Sequence, residues 1–418
     1  LKIVIHLLAL YVFLETSKSF MLKAQQLSPP MNIGRIETKP SINKSADGLR
    51  GVACLSVVLH HFIAAFLPFL LHKSYPTVFE AKLTPSLFDD LCSSPMTIWF
   101  LSGNFAVAIF FVLSGYVLSS PYYREERSSL ILKKRFLGRY LRLNLPVAAS
   151  IVISMVLYSC RHYTNLQASE ISGSQWLACY FPSKISYMRG LADMVWKSIV
   201  LGDACFNTVL WTLKTEFIGS LILLGFYIFK PKKRSLLLWI GLFLCLYWCY
   251  GKQALFFFAI MLGSLLHAVH IPKKWHLLLV ITALYLGAFQ FENIIYNFLP
   301  QVGPFKKSDF YITIGAILLV APIVQGCGKK IFESGIFQFF GKISFSLYLL
   351  HFLVLCSFSC SLYCLLPKTD LALILNFFLY FSVSVLLSLV FYLYIDLPAI
   401  RFARYCSRFF INKKISVT

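Results

Sequence analysis

Arg50 and His61 stand eleven residues apart in the first long apolar run of the chain, Asp47-Gly48-Leu49-Arg50-Gly51-Val52-Ala53-Cys54-Leu55-Ser56-Val57-Val58-Leu59-His60-His61-Phe62. On an α-helix that spacing is close to three whole turns, so both side chains leave one face, about 16 Å apart along the axis. His60 is rotated by about 80° from that face, so the spacing favours His61 as the partner of Arg50. The separation is roughly half a bilayer, which puts a guanidinium at one surface and an imidazole near the midplane. Ionisable groups at such depth are costly and usually serve a pathway or a reaction. The chemistry available is proton transfer at His61 and the binding of anionic oxygens at Arg50. The alternatives are a histidine that packs between helices and an arginine that anchors its helix by snorkelling.

Other groups of the same kind recur along the chain. Glu216 is a carboxylate in an apolar run, near Trp211 and two residues after Lys214. It can orient an imidazole or hold hydroxyls; compensation by Lys214 is the other reading, although residues two apart do not face each other on a helix. Tyr348 and His351 share a helical face by their three-residue spacing, and either line a cavity or pack. Arg135, Arg139 and Arg142, within Lys133-Lys-Arg-Phe-Leu-Gly-Arg-Tyr-Leu-Arg142, fall on one face if the segment is helical. Such a face suits a polyanion or, equally, anionic lipid headgroups.

The elements that must position these residues are membrane helices. Of 418 residues, 58% are hydrophobic and 13% charged, too little polar surface to disperse a soluble protein of this size. The expected fold is all-α, a multi-pass bundle of about ten spans near 48–71, 98–119, 143–159, 208–229, 235–250, 254–271, 275–291, 310–325, 343–364 and 371–395. A net charge of +22 would point to nucleic acid in a soluble protein. Here the basic residues sit in short segments between apolar runs, so nucleic-acid binding is not expected. Counted from Met31, alternate loops with Arg50 hold 25 Lys and Arg against ten in the opposite set, which predicts both termini in the cytosol. Which membrane is not specified.

Residues 1–45 read as an N-terminal cytosolic segment, 46–405 as one membrane domain and 406–418 as a short basic tail. Met21 and Met31 are plausible starts, and residues 1–14 mimic a signal peptide in a weak cleavage context. Twelve cysteines show no Cys-x-x-Cys spacing, so no metal site is expected. Cys356, Cys360 and Cys364 read as packing residues, whereas a disulfide among Cys92, Cys160, Cys179 and Cys205 is open. Tyr163, Trp176, Tyr180 and Tyr187 in the outer loop 160–207 suit either sugar stacking or an interfacial belt.

Six segments in order resemble the acyltransferase-3 family of integral-membrane O-acyltransferases. They are Asp47-Gly-Leu-Arg-Gly51 with His61; Asn104-Phe-Ala-Val-Ala-Ile-Phe-Phe-Val-Leu-Ser-Gly-Tyr116; Arg139-Tyr-Leu-Arg142 followed by Pro146; Leu210-Trp-Thr-Leu-Lys-Thr-Glu216; Gly341-Lys-Ile-Ser-Phe-Ser-Leu-Tyr-Leu-Leu-His351; and Asp396-Leu-Pro398. The likeness covers about 46–405. One departure stands out: many members carry Gly-Val-Asp where this chain has Ala106-Val107-Ala108, so no role resting on that carboxylate carries over.

The resemblance implies transfer of a short acyl group, acetyl by default, from acyl-CoA at the cytosolic face to a hydroxyl of a sugar, glycolipid or other small acceptor. His61 would be the base, assisted by Arg50 and Glu216. Arg135, Arg139 and Arg142 would hold the coenzyme A phosphates, with Trp211, Tyr348 and His351 on the acceptor. No tightly bound cofactor is implied, and membrane lipids are the expected surroundings. The competing reading is a multi-pass transporter of a polar or anionic small molecule, but no paired broken helices or repeated halves are seen.

Overall fold

The computed structural model describes residues 43–82, 86–123, 128–181, 185–229 and 235–415, so Met21, Met31 and the basic segment 230–234 lie outside the described residues. All ten apolar runs fold as helix. We number the main helices α1 (Lys44–Phe66), α2 (Gly103–Tyr123), α3 (Ser128–Ser159), α4 (Leu213–Ile228), α5 (Ser235–Tyr250), α6 (Ala254–Leu265), α7 (His276–Gly287), α8 (Lys307–Val324), α9 (Gly335–Val354), α10 (Asp370–Phe391) and α11 (Leu397–Ile415). Among the described residues, eight helical stretches are long and apolar enough to cross a membrane. The difference from ten runs has a simple origin. α5 and α6 are joined by a tight turn and fall within one such stretch, and α7, at 12 residues, rises only about 18 Å.

α1 starts where its sequence says it should. The Asn43 side chain accepts from the Ala46 amide at 3.1 Å, and Asp47 in the first turn complements the helix dipole. The helix then buries itself against α9 through glycines. A Cβ on Gly51 would lie 2.7 Å from the Gly341 nitrogen, and one on Gly341 would lie 2.1 Å from the Asp47 carbonyl oxygen. Only residues without a side chain let two backbones approach this closely. A similar contact joins α2 to α6, where a Cβ on Gly115 would meet the Ile260 carbonyl oxygen at 1.8 Å. Ser114-Gly115 therefore has a packing role as well as a polar one.

The Gly51–Gly341 crossing sets the register of α1 against α9. From it, α1 and α9 each run ten residues, about 15 Å, to His61 and His351. The two histidines thus reach the same depth because the glycines set a common origin. Beyond His351 the helix widens into a π-helical turn, Leu355–Ser359, of the sort that often marks a functional site.

Candidate active site

His61 and His351 meet across the α1–α9 seam. His61 Nδ1 and His351 Nε2 are 2.8 Å apart, and His351 Nδ1 lies 2.9 Å from the Leu347 carbonyl oxygen. A carbonyl only accepts, so His351 Nδ1 must carry hydrogen. With both rings neutral, His351 Nε2 is then the acceptor and His61 Nδ1 the donor. One tautomer of each satisfies the chain, and it leaves the lone pair of His61 on Nε2. This relay points a base away from the seam.

His61 lines a cavity of about 220 Å³ whose walls also include His60, Trp176, Tyr348, Trp211 and Asn104. The remaining lining residues are aromatic, aliphatic, threonine or glycine; among the described residues no Asp, Glu, Lys or Arg lines it. His60 also faces this space, its Nδ1 hydrogen donated to the Leu101 carbonyl at 2.6 Å. The helical wheel separated His60 from Arg50 but did not remove it from the site, because the Ser102-Gly103 start of α2 brings a wall to the His60 side. Tyr75 lines the cavity too, its hydroxyl oxygen receiving the Asn104 amide, and burial pushes its ionisation up to about 12, so it stays a neutral phenol.

The far wall is built by the outer loop. Trp176 stacks on His61 with ring centroids 5.5 Å apart and planes 16° off parallel, and Tyr180 packs edge-on against Trp176 and Phe352. Three polar ties hold it there. The Thr164 amide donates to the Cys356 carbonyl exposed by the π-helical turn (3.1 Å), and Ser174 Oγ donates to the Ala64 carbonyl of α1 (2.7 Å). Asn165 Nδ2 donates to the carbonyls of Leu177 (3.1 Å) and Tyr180 (2.7 Å). Trp176 and Tyr180 are thus cavity walls, whereas Tyr163 stacks on Phe181 and Tyr187 is exposed. The twelve cysteines are free thiols. Cys205 Sγ lies 3.1 Å from Asp193 Oδ2, and burial together with that carboxylate pushes the thiol up to about 12, far from a reactive thiolate.

The expected site residues divide into two groups. His61, His351, Tyr348 and Trp211 come together: Tyr348 donates its hydroxyl to the Val209 carbonyl and accepts from Thr212 Oγ1, tying α9 to the segment that carries Trp211. Arg50, Arg135, Arg139, Arg142 and Glu216 are not among the cavity walls. Arg50 reaches back to Asp47 at 3.0 Å instead of up its helix. Arg135 donates to the Val117 carbonyl at 2.7 Å, and Arg142 pairs with Asp396 at 2.7 Å. Glu216 is held by Arg139 and, at 2.9 Å, by Ser114 Oγ, while Lys214 turns to the Tyr250 ring. Its counter-ion is therefore Arg139, from another helix, and not its neighbour Lys214. Trp176 and Tyr180, two of the loop aromatics that suited either sugar stacking or a belt, complete the site together with Tyr75 and Thr212, which the sequence did not single out. A loop Trp and Tyr four residues apart was the one signal for the lid, and its weight depended on contacts far away in sequence.

Comparison with known proteins agrees with this architecture. The family described as an acyltransferase domain matches residues 43–393. The chain is 24% identical over 369 residues to the O-acetyltransferase PaAT-1 of Phomopsis amygdali, covering 73% of this chain and 70% of that one. No solved structure matches.

Proposed function

The chain belongs to the acyltransferase-3 family of membrane acyltransferases, and from that premise we propose that it moves a short acyl group, acetyl by default, from coenzyme A to the hydroxyl of a small uncharged acceptor. The observation that carries the reading is the His61–His351 relay, which leaves the His61 Nε2 lone pair for the cavity. In the proposed step that nitrogen takes the acceptor's hydroxyl proton as its oxygen attacks the thioester carbonyl. The carbon–sulfur bond breaks as the tetrahedral intermediate collapses, and the thiolate recovers the proton from His61. Both substrates are consumed as neutral groups at the reacting centre, which suits walls that have no Asp, Glu, Lys or Arg among the described residues. The charged nucleotide end of the donor would remain at the basic end of the bundle, which we take as cytosolic, where Arg135, Arg139 and Arg142 lie.

The cavity narrows the acceptor class. Burying a phosphate or carboxylate among these walls without a counter-ion would be expensive. Trp176, Tyr180 and Trp211 offer ring faces instead, so the acceptor's reactive portion is a neutral alcohol such as a sugar hydroxyl on a lipid or glycan. Membrane lipids surround the bundle, and no tightly held cofactor enters the scheme. The test is incubation of purified protein with acetyl-labelled acetyl-CoA and a panel of neutral and phosphorylated alcohols. Label should move to neutral acceptors, with slow hydrolysis in their absence. Protein that neither transfers nor hydrolyses the thioester would sink the reading and reopen the transporter.

A second expectation concerns the lid. Trp176→Ala removes the ring stacked on His61 and opens the cavity to water. The acceptor KM should rise about tenfold, in line with about 1–3 kcal/mol for a stacking aromatic. Futile thioester hydrolysis should rise relative to transfer. Assays with and without acceptor measure both.

A further inference from the structure

A different surface lies at the other end of the bundle from the cavity. α10 has 22 residues, about 33 Å of rise, and can cross the hydrocarbon layer alone. The π-helical turn Tyr392–Asp396 and then Pro398 follow it, so α11 begins where the layer ends. α3 has 32 residues, about 48 Å, and therefore overhangs by about a dozen. The overhang and α11 pack together. α11 turns Ala399, Ala403 and Ser407 inward, and the Ala403 carbonyl oxygen is 3.2 Å from the place of a Cβ on Gly138. The Arg142–Asp396 ion pair joins the two helices at their roots.

The outward side of α11 carries two stripes. Phe402, Tyr405 and Phe409 are 50%, 60% and 56% exposed at three- and four-residue spacing. Arg401, Arg404 and Arg408, at the same spacing and equally outward, form the adjoining stripe. The α3 overhang adds exposed Phe136, Leu137 and Lys133 beside them. Hydrocarbon does not suit the arginines, and bulk water does not suit three large rings in a row. The headgroup layer suits both, with rings inserted at the acyl boundary and cations among the phosphates. A purely positive stripe, with no Asp or Glu anywhere in Leu397–Ile415, selects anionic headgroups over zwitterionic ones.

We propose that α11, with the overhanging part of α3, is an interfacial platform that binds anionic phospholipid headgroups at the basic end of the bundle. The six α11 residues that carry the platform, Arg401, Phe402, Arg404, Tyr405, Arg408 and Phe409, are distinct from the cavity walls and from the arginines of α3 that the acyl-transfer reading gives to the donor.

The test uses the full chain, reconstituted in vesicles of phosphatidylcholine and phosphatidylserine at equal mole fraction and re-extracted in mild detergent, with retained lipid quantified by mass spectrometry. Phosphatidylserine should be retained over phosphatidylcholine. A basic residue near an anionic surface is worth about 1 kcal/mol, or about fivefold. Arg401→Gln with Arg404→Gln and Arg408→Gln should therefore cut the enrichment at least about fivefold. The same three positions as Lys should keep it, which separates charge from fold. Equal retention of the two lipids by the parent protein would overturn the proposal. So would enrichment that survives the triple Gln substitution, or loss of enrichment in the Lys variant.

Discussion

His61→Ala is expected to lower kcat for acyl transfer by about 10³-fold while protein yield and thermal melting stay close to those of the parent. The figure is the middle of the range for removing a positioned general base. The side chain is only partly buried at the cavity wall, so its loss leaves space that water can enter and little else. His60→Ala is the control within the same cavity. It removes an imidazole tied to the Leu101 carbonyl but not the one in the relay, and should cost far less. His351→Ala tests the relay itself. It strips the acceptor from His61 Nδ1–H, frees the ring to adopt the other tautomer, and should lower kcat by about 10²-fold with little change in either KM. His351→Gln retains an acceptor near the same place and should recover part of the loss. A merely structural His351 would lower melting temperature in both variants and show no such recovery. If His61→Ala turns over at the parent rate, the base lies elsewhere.

The depth of His61 was legible because helical rise is a property of the backbone and needs no tertiary information. So was the all-helical membrane fold, since each apolar run carries its own length signal. The partner of His61 was not. Arg50 shares its helical face, yet a face is a direction and not a contact: about 16 Å separates the two, and Asp47 is three residues from Arg50. The true partner, His351, comes from a helix 290 positions later, and what joins them is the equal ten-residue offset from Gly51 and Gly341. Those glycines stood in view as parts of two separate motifs. Nothing in either motif says that one glycine packs on the other. The lid illustrates the same limit. Thr164, Asn165 and Ser174 look like ordinary loop residues, and their hold on Trp176 depends on carbonyls of a π-helical turn, of the loop itself and of α1 respectively. Backbone irregularity of that kind has no periodic signature.

Glu216→Ala is expected to be the most destabilising of the site variants, by about 3–5 kcal/mol, because it strands the Arg139 guanidinium inside the bundle. The two side chains are only 17% and 13% exposed, so water rescues little. Glu216→Gln keeps an oxygen for Ser114 and Arg139 and should lose less, while Glu216→Leu with Arg139→Met should recover much of the deficit by removing both charges. The same variants decide what Arg139 does for function. As a ligand for the donor's phosphates, a guanidinium half-neutralised by Glu216 would bind more tightly once released: Glu216→Gln should lower the donor KM, and Arg139→Met should raise it. As a fixed counter-ion between α3 and α4, Arg139 would leave the donor KM unmoved in both, and the melting temperature alone would fall. Arg142 provides the parallel case, since Asp396 holds it at 2.7 Å from the next root of the same basic end. Donor titrations at saturating acceptor, paired with thermal melts of each variant, separate the two roles, because a stability defect shifts the amount of active protein and a binding defect shifts the concentration of donor needed to fill it.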